Sequence, residues 1–153
     1  MTETKPMKLA EFLTARIDED EATARAACIP ASDRYLPHPE LTIWRYVEDE
    51  EVIFDYNDGD SWPRYVTMDN EGIHASVSEV TGRHIARHDP ARVLAECEAK
   101  RRIVEGLQNI LRDAPEQADG TALRGYVEAL WVVVQELAAV YADHPDYRPG
   151  WKP

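Results

Sequence analysis

The chain holds two cysteines and seven glycines in 153 residues, and no apolar run reaches the roughly eighteen residues that a membrane-spanning helix needs. With Cys28 and Cys97 so far apart there is no Cys-X-X-Cys pair, and the few glycines form neither a phosphate-cradling loop nor a nucleophile elbow. Both cysteines fall on predicted apolar helix faces and are expected as reduced core thiols. A disulfide between them stays open, because separation along the chain does not fix distance in the fold. Positive charge is also scarce: 17 Lys and Arg stand against 29 Asp and Glu, a net charge of −12. That balance argues against non-specific binding to DNA, RNA or anionic lipid, since only the short run Lys100-Arg101-Arg102 opposes the repulsion. No charged-then-apolar leader opens the chain, so the expected location is the cytoplasm.

What is present is helix. At 153 residues a single domain, 1–153, is expected, and a chain of this length buries roughly 70% of its unfolded surface, enough for a core without staples. Asp89-Pro90 is the clearest start signal. The Asp carboxylate can accept an orphan amide, and Pro at the first helical position gives up no needed donor. From Pro90 to about Arg112, Val93, Leu94, Cys97, Val104, Leu107 and Leu111 recur at helical spacing, while Glu96, Glu98, Lys100, Arg101 and Arg102 make a charged side expected to face water.

Upstream, Ser76-Val-Ser-Glu79 has capping-box spacing and predicts a short helix over 76–87. It carries the only close pair of histidines. His84 and His88 are four apart, the spacing at which two imidazoles of one helix can hold one cation. Ile85 stands where the metalloprotease signature places its general-base Glu. The pair therefore either caps the helix and meets carboxylates, or binds a metal or ligand.

Around this centre, 6–28 reads as a helix with the stripe Leu9, Phe12, Leu13, Ile17, Ala24, Ala27 and Cys28. The stripe is broken in the run Asp18-Glu19-Asp20-Glu21, so Asp20 or Glu21 can face inward. A buried carboxylate would need a histidine, arginine or metal as partner, and Arg87 or Arg92 is expected to serve. Residues 29–40, with three prolines, read as a connector. Over 41–68, β-branched and aromatic segments alternate with the acidic turns Glu48-Asp49-Glu50-Glu51 and Asn57-Asp58-Gly59-Asp60, predicting a three-stranded antiparallel meander packed on the helices. The turns lack the ligand pattern of a calcium loop. The segment 121–142 is the most apolar and predicts a core helix, whose surplus of apolar residues makes it a candidate homodimer contact. Residues 143–153 are expected as an extended tail docked through Tyr147 and Trp151, with His144 at the helix end. The fold class is thus α+β and mainly helical, with three long helices and one short.

Three blocks carry a resemblance. The run His84-Ile-Ala-Arg-His88-Asp-Pro-Ala-Arg-Val-Leu-Ala-Glu96, continued by Glu98-Ala-Lys-Arg-Arg-Ile103, is similar to the hallmark of a family of small uncharacterised proteins from high-GC bacteria and their phages. Phe12-Leu13 with Arg16 and Asp18-Glu19-Asp20-Glu21 resembles that family's opening, and Tyr141-Ala-Asp-His-Pro-Asp-Tyr147 with Trp151 its end. The family is a domain of unknown function, so the resemblance implies a small cytoplasmic, often phage-associated accessory protein, and supplies neither catalytic residue nor substrate.

Two functional classes follow. The first is a non-enzymatic interaction protein that binds a protein partner, through its apolar helix or through acidic residues standing in for phosphates. No cofactor and no direct nucleic-acid contact are expected of it. The second is a divalent-metal-binding protein or metal-dependent hydrolase, in which His84 and His88, with His144 and Asp20, hold an ion.

Overall fold

A computed structural model of the chain describes residues 5–28, 42–47, 51–54, 65–67, 76–113 and 121–153. Within them the fold is mainly helical α+β: α1 (Lys5–Ala26), β1 (Trp44–Val47), β2 (Glu51–Phe54), α2 (Glu79–Arg87), α3 (Pro90–Asp113), α4 (Thr121–Ala139) and a closing 3-10 turn (Pro149–Trp151). The expected connector 29–40, most of the acidic turns and the loop before Thr121 lie outside the described residues. The chain divides into two compact units, one of Met1–Glu19 with Cys97–Pro153 and the other of Asp20–Glu96.

In the first unit, Leu9, Leu13 and Ile17 of α1, Cys97, Val104 and Leu107 of α3, and Val134 and Ala138 of α4 are buried. These are the positions that helical spacing selects. The expected core helix, however, is not buried all round. Tyr126, Val132, Val133 and Val140, on α4 and just past its end, are 56%, 51%, 42% and 75% exposed. Apolar composition alone did not reveal this, because α4 spends only one stripe on its own unit. Hydrogen-bonded turns, Tyr141 N–H to Ala138 O and Ala142 N–H to Ala139 O, follow the helix. The last residues are likewise not extended. His144 N–H donates to Tyr141 O, Tyr147 N–H to His144 O and Trp151 N–H to Arg148 O, so the tail coils turn upon turn. Its aromatic rings converge on Phe12, with Tyr147 at 5.9 Å and Trp151 at 5.1 Å between centroids. Buried Gln135 fastens it, donating from Nε2 to the carbonyls of Trp151 (3.2 Å) and Lys152 (2.9 Å).

In the second unit, β1 and β2 form an antiparallel pair with Trp44 opposite Phe54 and Tyr46 opposite Val52. The expected third strand is reduced, among the described residues, to one bridge between Ile53 and Tyr65. The amides of both Val66 and Thr67 turn to Val52 O, at 2.7 and 3.4 Å. Thr67 Oγ1, rather than a backbone carbonyl, accepts from Val52 N–H at 3.3 Å. A side chain thus takes a ladder position. Phe54 and Cys28 form a buried cluster with Trp44 and Val66 against it. This is the sheet face on helix that an isolated hairpin lacks.

α2 starts three residues later than 76, because Ser78 rather than Ser76 is its N-cap and accepts from Thr81 N–H. Gly82 of α2 is buried, and a Cβ there would come within 2.5 Å of Tyr46 Cε2. Only glycine lets this helix lie so close to β1. Asp89 caps α3 as expected, its Oδ1 accepting from Arg92 N–H at 2.9 Å, while Oδ2 accepts from Trp44 N–H at 3.4 Å and ties the cap to β1.

Candidate functional site

The histidine pair ends α2. His88 is its C-cap, with its backbone N–H donating to His84 O and Ile85 O. His88 Nδ1 also lies 2.9 Å from His84 O. A carbonyl can only accept, so Nδ1 is the donor, and in the neutral imidazole Nε2 is then the nitrogen with the lone pair. The two imidazoles lie ring on ring, 4.4 Å between centroids and tilted by 41°.

His88 also lines a pocket of about 260 Å³ within the second unit, together with Asp20, Ala24, Trp44, Pro90 and Val93. Two of the residues singled out by sequence, Asp20 and His88, therefore share one site. Its wall is otherwise largely apolar, and the buried Trp44 Nε1 has no hydrogen-bond partner among the described residues. His84 is exposed beside His88, and His144 belongs to the other unit. No group of three or more His, Cys, Asp or Glu is gathered among the described residues in a way that could hold a metal ion.

The charged runs are largely engaged. Lys100 Nζ lies 6.0 Å from the Tyr141 ring centroid, Arg101 pairs with Asp18 at 2.8 Å, and Arg102 pairs with Glu98 one turn away. Of the acids on α1, Glu19 pairs with Arg16 at 2.6 Å and Glu21 with Arg25 at 2.6 Å. The arginines that meet these acids are thus Arg16, Arg25 and Arg101, not the Arg87 or Arg92 expected from the sequence. Arg92 instead pairs along its own helix with Glu96 at 2.8 Å.

The residue that the sequence reading overlooked is Arg16, 8% exposed on the buried side of α1. Its position was readable, since Leu13, Arg16, Asp20 and Ala24 continue the stripe at spacings of three and four. An arginine on such a stripe must bring its own partners. Its Nη2 donates to Glu19 Oε1, its Nη1 meets the His144 ring, and its guanidinium carbon lies 5.4 Å from the Phe12 centroid. Arg16 Nη1 lies against both ring nitrogens of His144, and Asp146 N–H donates to Nδ1 at 3.1 Å.

Arg16 forms part of the wall of a cleft of about 530 Å³, contained in the first unit between α1 and the C-terminal turns. Lys8, Glu11, Tyr147 and Arg148 line it as well. Arg16 Nε and Tyr147 OH are both buried with no hydrogen-bond partner among the described residues. Each is a donor, or for the hydroxyl a donor as readily as an acceptor, and each is costly to leave unmatched.

No curated protein and no solved structure matches the chain. The model of a family of unknown function, DUF6221, matches residues 6–153, and the chain belongs to that family.

Proposed function

We propose that the protein is a small non-catalytic interaction protein that associates with a second copy of itself through α4. The observation that carries this is the group of exposed apolar residues Tyr126, Val132 and Val133 on a helix of 19 residues, about 28 Å long, with Val140 just past its end. The acidic surface serves the proposal less well as a phosphate mimic, because Asp18, Glu19 and Glu21 already face arginines. The cytoplasmic location and the phage association that the sequence resemblance implies remain part of this proposal.

Salt separates the alternatives. Two copies carrying −12 each repel, and screening relieves the repulsion, so an apolar dimer tightens between 50 and 500 mM salt. A complex built on carboxylates and a basic DNA-binding partner loosens over the same range. Sedimentation equilibrium of the whole chain should show a dimer strengthened by salt and lost in Val133→Glu. A monomer at every concentration and salt would remove the proposal.

A second reading rests on the pocket that holds both His88 and Asp20. With its Nδ1–H donated to His84 O, His88 offers Nε2 to a divalent cation, the requirement for the metal-binding or hydrolytic alternative with His84 as neighbour. Elemental analysis and melting with chelator, zinc or manganese test it. Stoichiometric metal that is lost in His88→Ala supports it, and no metal with no shift ends it.

A further inference from the structure

We propose that the cleft between α1 and the C-terminal turns binds the oxyanion group, carboxylate or phosphate, of a small molecule, with Arg16 and Tyr147 as its donors. Three observations converge. Arg16 is more than nine-tenths buried in the cleft wall, yet its Nε has no acceptor among the described residues. Tyr147 lines the same cleft with a buried hydroxyl that also lacks a partner. Native structures leave few such groups unmatched, and what both can use is an oxygen that accepts. A charged donor is best matched by an anion. Lys8, Arg16 and Arg148 stand beside Glu11 and Asp146 in the lining, and with Glu19 paired to Arg16 the cleft is close to neutral in a molecule whose net charge is −12. A small anion is repelled less there than over the rest of the surface.

Arg16 is held for this role. Glu19 takes its Nη2 and the His144 ring its Nη1, so the fork is fixed and its Nε edge is the one left over. Fixing a guanidinium before the ligand arrives lowers the cost of ordering it on binding. Tyr147 is placed by its ring contacts with Phe12 at 5.9 Å and Trp151 at 5.8 Å. The cleft volume matches the range of small-molecule sites, and its aromatic flank suits an anion with an apolar body.

The test is calorimetric titration of the whole chain with inorganic phosphate and, separately, with benzoate, each at ionic strength held constant with chloride. One of the two probes should bind saturably with one site per chain, and which one identifies phosphate or carboxylate as the source. Tyr147→Phe keeps the ring in place and should weaken that binding about tenfold, and Arg16→Lys, which keeps charge but removes Nε, should weaken it at least as much. Should Arg16→Lys fail to fold, Lys8→Gln replaces it and should weaken binding several-fold. Failure of both probes to saturate overturns the proposal. So does binding that Tyr147→Phe leaves unchanged, which would mark the anion as adventitious.

Discussion

Glycines 82 and 106 both sit inside helices, and the same substitution should move them in opposite directions. At Gly82 a Cβ meets the Tyr46 ring and comes within 3.1 Å of Val77 Cγ2. Overpacking of this kind costs about 1–3 kcal/mol, against about 1 kcal/mol gained in helix propensity from Gly to Ala. At Gly106 nothing lies within 4 Å, so only the gain remains. In urea melts Gly82→Ala should lower stability, and Gly106→Ala should raise it by about 0.5–1 kcal/mol. Equal effects at both positions would mean that the close approach of α2 to β1 is absent in solution. Cys28 gives a second prediction. Burial raises its thiol pKa, only partly offset by the neighbouring Arg25 guanidinium, while Sγ donates to Ala24 O at 3.3 Å. A folded pKa above the unfolded one means stability fully present below the ordinary thiol range and lost as pH rises through the raised value. The stability gap between the parent chain and Cys28→Ala should therefore narrow between pH 7 and 10. A gap that stays constant would show that the thiolate meets no penalty in the fold.

The closing turns are held by contacts that belong to elements rather than to single residues. Gln135 on α4 satisfies two carbonyls of the tail, and Trp151, 4% exposed, fills the space beside Phe12. Gln135→Leu should cost about 1–3 kcal/mol, because both carbonyls lose their donor and that of Trp151 is buried. Trp151→Ala should cost about 3–5 kcal/mol, as large-to-small changes in a core do. Amide hydrogen exchange over residues 141–153 checks both, and protection unchanged in both variants would mean that the turns hold without α4 and Phe12. These elements also mark how far the sequence could be read. The helices were legible because each has a period of apolar residues, and α3 because Asp89-Pro90 marks its start. The tail was not, because proline-rich segments look extended while local hydrogen bonds between neighbours leave no periodic trace. The role of Thr67 was hidden for a similar reason: it is a good strand residue, and only geometry shows its hydroxyl in the place of a carbonyl. The candidate sites were half legible. Asp20 and His88 were picked out by residue type and do share a pocket. Arg16 was passed over because an arginine on an apolar stripe is taken for a surface residue unless the positions are counted.

For the whole molecule the deciding quantity is the imbalance of 29 acids against 17 bases. Ion pairs at i,i+4 such as Arg83 with Glu79, Arg92 with Glu96 and Arg124 with Glu128 have half or more of most of their side chains in water, and pairs of this kind contribute only a few tenths of a kcal/mol each. Salt weakens them slightly. It also screens the mutual repulsion of the surplus carboxylates, which acts over the whole surface and grows as the charge is compacted by folding. The surplus outweighs the pairs, because every pair is by construction neutral and adds nothing to the net charge that opposes folding. Stability should therefore rise between about 20 and 300 mM sodium chloride. A melting curve at fixed pH and low protein concentration, where self-association contributes little, measures this directly. A melting temperature that falls with salt would mean that local pairing, rather than net charge, governs the electrostatics of the fold.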